Sequence, residues 1–537
     1  MFKTICIRSL FFASITLAFI ACSEKKKERI AMPVTDLAKV SLIPKPLKTT
    51  PTNSAFALDQ FTAIYTSKNA TGFEEVGTFL ADKLKSKTNL TIPVNSEGAN
   101  TIERVIYINQ SDSIDLNSPE AYQLYINQDS IIINANTAEG AFRGIQTLRQ
   151  LVPIESNDTL ALQKIWPVPS GKIIDNPNFA YRGSMLDVAR HFFSVDDVKK
   201  YIDLLSYYKI NVLHLHLSDD QGWRIEIKSW PKLTEVGGIT EVGGESGGFY
   251  TQEDYKEIVR YAADRYMTII PEIDMPGHTN AASVSYPFLN GNGKTPKPYE
   301  GTHVGFSTFD THKDTIYAFI DDVVREISAI TPGPYFHVGG DESHVTKKSD
   351  YIYFINKVEK IVQKHGKRMI GWDEVAIANI DSTSISQWWA SEENAKKAVD
   401  KGMKIIVSPA KKAYLDMEYD TLSKFGLHWA AYIPVDTAYI WTPEEYGIPI
   451  ENILGVEAPL WSETISNIDE LEYLAFPRII GYSELSWSIK ENRNWEDYKV
   501  RLADQAPFLD RMDVKYYPSP LIDWKKSDFT YETINKD

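Results

Sequence analysis

Eight short apolar runs, recurring between Gly183 and Trp461 with helical stretches between them, restrict this chain more than any other feature. The runs are Gly183 to Val188, Val212 to Ser218, Thr268 to Ile273, Tyr335 to Gly340, Arg368 to Trp372, Ile385 to Trp389, Lys404 to Ser408 and Ile453 to Trp461. Each has the length of a buried strand, and amphipathic segments such as Val195 to Lys209, Gln252 to Tyr266, Lys313 to Ile330 and Glu392 to Lys401 fall between them. Strands that alternate with helices pair in parallel under a helical cover, and eight of them suit a closed (β/α)8 TIM barrel. The expected class is α/β. A seventh helix is not evident between Ser408 and Ile453.

Ahead of the barrel the rhythm differs. Arg104 to Gln110 and Ala121 to Thr137 alternate as strands, the second a hairpin turned at Gln128-Asp129, and Phe73 to Lys87 and Ala138 to Val152 are amphipathic. Phe142, Ile145, Leu148 and Leu151 share one helical stripe. This is a small α+β domain. Its "TAEGAFRG" places a glycine in a helix start, which reads as packing before function. The expected layout is a signal peptide over 1–21, a lipidated tether over 22–38, the α+β domain over 39–158, and the barrel with a C-terminal extension over 159–537.

The start carries Lys3 and Arg8 before thirteen uncharged residues, Ser9 to Ala21. A bilayer core takes about 20 helical residues, so the segment reads as a cleaved signal. Ala21-Cys22 resembles a bacterial lipobox, with Phe19 as a departure from its usual Leu, which implies acylation of Cys22 and a protein exported and anchored to a membrane, the outer one expected, facing periplasm or exterior. A plain secretory signal is the alternative. The chain has only two cysteines, Cys6 and Cys22, both in this leader, so disulfides and thiolate metal sites are not expected in the body. A net charge of -15 argues against a nucleic-acid partner.

Barrel enzymes assemble their chemistry at the C-terminal ends of the strands. Here those ends carry Asp187 and Arg190, Asp219, Asp220 and Trp223, Asp274 and His278, Asp341 and Glu342, Trp372, Asp373 and Glu374, Trp389, Tyr414 and Asp416, and Trp461 and Glu463. Acids with several tryptophans suit a sugar, since carboxylates and arginine fork onto hydroxyls and indoles cover the apolar ring face. A metal enzyme is the rival reading, because His214 and His216 lie two apart on one strand face. No further histidine completes an obvious set, so they read as satisfied interior residues, with no metal and no cofactor expected.

"HVGGDE" (His337 to Glu342) resembles the signature of glycoside hydrolase family 20, the β-N-acetylhexosaminidases. "LDVARHF", "HLHLSDDQGWR", "EIDMPGH", "GWDE" and "LWSE" resemble that family's other motifs in order. The resemblance spans about Leu42 to Tyr517 and implies an exo-acting enzyme that removes terminal β-linked N-acetylglucosamine or N-acetylgalactosamine from glycans. By the same resemblance Glu342 is the general acid and base, Asp341 holds and polarises the 2-acetamido group, and Tyr414 donates to its carbonyl. Trp372, Trp389 and Trp461 would wall the pocket, Arg190, Asp416 and Glu463 would bind ring hydroxyls, and Asp219 and His278 would support Glu342 from behind.

Adjacent carboxylates are poorly placed to flank a sugar from both faces, as the two carboxyls of an ordinary glycosidase do at about 5 to 9.5 Å. The resemblance therefore implies that the acetamido oxygen attacks, giving an oxazolinium intermediate and retention. Asp341 is also expected to help Glu342 keep its proton. Asp373-Glu374 is a competing acidic pair. A disaccharide-releasing enzyme similar to a lacto-N-biosidase, and a silent carbohydrate-binding protein on the same fold, stay open as alternatives. Oligomeric state leaves no signal in the sequence.

Overall fold

The computed structural model describes residues 32–96, 104–112, 116, 118–154, 160 and 164–525. The leader and Cys22 lie outside the described residues. Among those described, no helix is long and apolar enough to cross a membrane.

The first domain is built on a sheet ordered β1-β7-β5-β6-β4-β2-β3. Its strands are β1 (Lys48–Leu58), β2 (Ala63–Thr66), β3 (Val94–Asn95), β4 (Val105–Gln110), β5 (Tyr122–Ile126), β6 (Ser130–Ala135) and β7 (Trp166–Asp175). β5 and β6 form the expected hairpin. Buried and half-buried residues alternate along β6, and its buried Ile131 and Ile133 join Phe142, Ile145, Leu148 and Leu151 of the helix Ala138–Leu151 in one core. That helix starts on Thr137, whose hydroxyl accepts from the Gly140 N–H at 3.1 Å. A Cβ on Gly140 would fall 2.4 Å from the Ala121 carbonyl oxygen, so the glycine of "TAEGAFRG" serves close helix packing.

The sheet runs further than residue 158, where the first domain was expected to end. β7 lies between β1 and β5 and carries it to Asp175. Pro167, Pro169 and Gly171 give this stretch the look of a loop. Both prolines, however, fall in the half of β7 that pairs with β1 alone, where a missing donor on the other side is tolerated. The two domains are joined by buried ion pairs: Glu120 accepts from Arg182 of the first barrel strand, and Lys209 meets Asp175 at 2.9 Å.

All eight apolar runs become strands of one closed parallel barrel. They are β8 (Tyr181–Asp187), β9 (Val212–His216), β10 (Thr268–Glu272), β11 (Tyr335–His337), β12 (Arg368–Trp372), β13 (Ile385–Trp388), β14 (Lys404–Val407) and β15 (Ile453–Leu460). The four helices read from the sequence appear as Val195–Tyr207, Gln252–Ala263, Asp314–Ala329 and Glu392–Asp400, the first two opened by capping boxes at Ser194 and Thr251. Between β14 and β15 there are only the short helices Ala410–Ala413 and Val435–Tyr439 and the single turns Pro443–Tyr446 and Ile450–Asn452. That segment is given over to the pocket, as shown below.

Inside the barrel, Tyr181, Val212, Ile270, Ile370, Ile385 and Ile406 fill the end nearer the strand starts. Nearer the strand ends the filling is ionic. His214 lies between Glu457 at 2.9 Å and Glu272 at 3.0 Å, and His216 between Glu272 at 2.5 Å and Asp219 at 2.9 Å. Burial opposes a charge on His214, but Glu457 and Glu272 outweigh it and raise its pKa to about 9.

Candidate active site

A cavity of ≈ 270 Å³ opens at the C-terminal ends of the strands, lined by Arg190, Asp341, Glu342, Trp389, Tyr414, Asp416, Trp461 and Glu463 among others. Eight of the residues expected to bind or transform substrate therefore converge on one space, although they follow five different strands. Trp372 does not line it. It is 1% exposed, donates through its indole N–H to Glu272 at 2.9 Å, and lies beneath Trp461 with ring centroids 5.6 Å apart. Trp429, Leu427, Thr302 and Val304 line the cavity and were not foreseen. Leu427 and Trp429 come from the segment that lacks the seventh helix, and that gap was the available signal. Trp429 is 57% exposed and presents its edge to Trp389 and Tyr414 at 6.2 and 6.0 Å.

The turn after β11 makes the acidic pair possible. Gly339 and Gly340 have φ of 64° and 97°, and the Gly340 N–H donates to Asp274 at 3.0 Å. Glu342 itself has φ 44° and His278 has φ 55°, a left-handed conformation that costs a non-glycine residue about 1–3 kcal/mol and concentrates at functional sites. His278 bridges the pair to its support. Its Nδ1 meets Asp219 Oδ1 at 3.1 Å, while its Nε2 stands 3.6 Å from Asp341 Oδ2 and 3.6 Å from Glu342 Oε2. Asp219 is fixed in turn by Arg190 at 2.8 Å and His216 at 2.9 Å.

These contacts set the charges. Burial works against ionising Asp219, but Arg190 and His278 outweigh it and hold its carboxyl well below the usual range. Burial likewise opposes a charge on His278, and Asp219, Asp341 and Asp274 keep its proton well above the imidazole range. Asp341 goes the other way: burial and the Asp274 carboxylate push it well above an ordinary carboxyl. Asp341 is the more deeply buried of the pair, its side chain 10% exposed against 29% for Glu342. Burial, Asp416 and Asp341 push Tyr414 far up, so it remains a hydroxyl donor.

Arg190 reaches Asp187 at 3.3 Å as well as Asp219, and its guanidinium lies 4.8 Å over the Trp461 ring. Its Nε finds no hydrogen-bond partner among the described residues. Nor do Asp341 Oδ1, Asp416 Oδ1 or Glu463 Oε2, although all four atoms are buried and belong to residues of the cavity wall. Four such atoms around one cavity leave donor and acceptor capacity free for a polar ligand. The competing pair has no such freedom. Asp373 accepts from the N–H groups of Trp389, Ala390 and Ser391 at 3.2, 3.0 and 3.1 Å and from Asn394 at 2.7 Å, and Glu374 accepts from the Trp389 indole at 3.2 Å.

Comparison with known proteins agrees with this geometry. Residues 179–490 match the model of the glycosyl hydrolase family 20 catalytic domain, and residues 39–175 match that family's domain 2. A beta-N-acetylhexosaminidase of Cellulomonas fimi is 37% identical over 492 residues, covering 90% of this chain and 97% of the relative. A beta-hexosaminidase of Porphyromonas gingivalis is 35% identical over 96% of this chain and 69% of its own length. Among solved structures, the beta-N-acetylhexosaminidase of Streptomyces coelicolor superposes with a TM-score of 0.86 at 44% identity, covering 90% of this chain and 99% of that one. A mutant Streptomyces plicatus beta-hexosaminidase holding its product GlcNAc gives 0.86 at 43% identity, over 92% and 99% of the two chains.

Proposed function

Because the chain belongs to glycosyl hydrolase family 20, we propose that it is an exo-acting β-N-acetylhexosaminidase that releases terminal β-linked N-acetylglucosamine or N-acetylgalactosamine with retention of configuration. The observation that carries this reading is the set of four partnerless buried polar atoms, on Arg190, Asp341, Asp416 and Glu463, around one small cavity. At ≈ 270 Å³ the cavity lies just under the about 300–1,000 Å³ of drug-sized pockets. It accommodates one sugar ring, which favours release of a monosaccharide over a disaccharide.

In this reading Arg190, Asp416 and Glu463 take the ring hydroxyls, and Trp389 and Trp461 cover the apolar faces of the sugar and its acetamide. Glu342, the more open of the pair with 29% of its side chain exposed, protonates the leaving oxygen. Asp341 receives the acetamide N–H, Tyr414 donates to the acetamide oxygen, and that oxygen attacks C1. The positive charge that develops on the oxazolinium favours ionised Asp341, whose burial otherwise disfavours the charge. Glu342 then deprotonates the water that opens the intermediate. An acid pair set beside a hydroxyl donor is more than binding requires, and this argues against a silent binding protein.

A panel of chromogenic β-glycosides of N-acetylglucosamine, N-acetylgalactosamine, glucose and lacto-N-biose tests the assignment. The two N-acetylhexosaminides are expected to be cleaved, and glucose and lacto-N-biose not. Cleavage of the disaccharide glycoside as a unit would overturn the exo-monosaccharide reading. From the leader sequence alone we also propose that Cys22 is acylated and tethers the enzyme to a bacterial membrane.

A further inference from the structure

We propose that His278, Asp341 and Glu342 form a zinc site whose occupation excludes the sugar. Their ligand atoms lie within 4.8 Å of one another. His278 Nε2 is 3.6 Å from each carboxylate oxygen, and Zn²⁺ bonded at about 2.0–2.2 Å in a tetrahedron holds its ligand atoms about 3.4 Å apart. His278 needs to shift only by tenths of an ångström relative to each carboxylate, and the two carboxylate oxygens already lie within 4.8 Å of each other.

A second observation points to a ligand here. His278 is 2% exposed, and its Nε2 makes no hydrogen bond among the described residues. The other ring nitrogen is engaged by Asp219 Oδ1 at 3.1 Å, the carboxylate-to-histidine contact that orients zinc-binding imidazoles and aims the second nitrogen at the metal. Asp341 and Glu342 line the cavity, so the fourth position of the tetrahedron opens into the space that holds the sugar. An imidazole with two carboxylates suits zinc and not magnesium, which prefers an octahedron of oxygens. Zinc must displace the proton on His278 and any held by the two carboxyls, and in exchange it compensates the charge of the crowded acid pair. Two deeper groupings of this kind share Glu272, which already serves His214, His216 and the Trp372 indole.

That zinc binds is independent of the proposed activity, and that it inhibits rests on it. The test titrates ZnCl₂, with MgCl₂ as control, into the full-length protein by calorimetry, and into the hydrolysis assay. Competitive inhibition by zinc alone is expected. Zinc binding should weaken by at least 10-fold in Glu342→Gln and in Asp341→Asn, and by about 10- to 100-fold in Asp219→Asn, with circular dichroism confirming that each variant folds. Zinc held at Cys6, Cys22 or surface histidines would be unmoved by these changes, and that result would overturn the proposal, as would inhibition that substrate does not relieve. If Glu342→Gln loses zinc but hydrolyses at the normal rate, the metal site stands and the catalytic reading fails. If it loses hydrolysis but binds zinc as before, the metal site falls alone.

Discussion

Gly339 lies so close against Asp274 that a Cβ on the glycine would fall 1.9 Å from Asp274 Oδ1. The same oxygen accepts the Gly340 N–H, so the contact fixes where Asp341 and Glu342 emerge. Gly339→Ala adds a clash to a φ of 64° and must move the turn. It is expected to lower kcat/KM by about 100-fold or more, the effect of misplacing a reacting group by an ångström. Kinetics on a variant shown to fold checks this, and activity within a few-fold of the parent would contradict it.

Glu342→Gln removes the proton donor, a contribution of roughly 10²- to 10⁴-fold. The loss should be large for natural glycans and small for p-nitrophenyl glycosides, whose leaving group needs little protonation. Equal losses on both would give Glu342 another role. Glu374→Gln should show no such grading, because Glu374 bonds to the Trp389 indole and stands outside the cavity wall.

The imidazolium of His214 makes stability depend on pH. Its folded pKa of about 9 lies above the ordinary 6.5, so its contribution is fully present below pH 6.5 and is lost as pH rises toward 9. Denaturation in urea should show stability falling over that window, by no more than about 1.4 kcal/mol per pH unit for this one proton. His214→Gln should be less stable at pH 6.5 and show a shallower decline. Parallel declines would contradict the assignment.

Much of this was legible in the sequence, and the failures have physical causes. The barrel strands are visible because each is a short, largely apolar run buried on both faces. β7 is not, since its prolines sit where only one neighbour demands donors, and local chemistry cannot show which half of a strand is paired twice. Arg190, Asp341, Tyr414 and Trp461 were recognisable from strand ends and motif, but depth was not. Trp372 and Trp461 both follow apolar runs, and only packing puts one beneath the other. Trp429 was missed because it lies in irregular chain with no periodicity to mark it.

Replacing Cys22 with Ala should release the protein from membranes without loss of activity, because the only other cysteine, Cys6, lies in the leader as well. Membrane fractionation with an activity assay checks this, and unchanged membrane association would contradict the anchor.

In the proposed mechanism the substrate's acetamido oxygen, and not a second carboxylate, attacks the anomeric carbon beside Asp341 and Glu342. The most direct measurement is kcat/KM for p-nitrophenyl N-acetylglucosaminides whose acetyl methyl carries none, one, two or three fluorines. Each fluorine withdraws electrons from the carbonyl oxygen without altering the leaving group. A stepwise fall in log kcat/KM across the four substrates is expected. A flat series, together with a glycosyl ester trapped on Asp341, would contradict it.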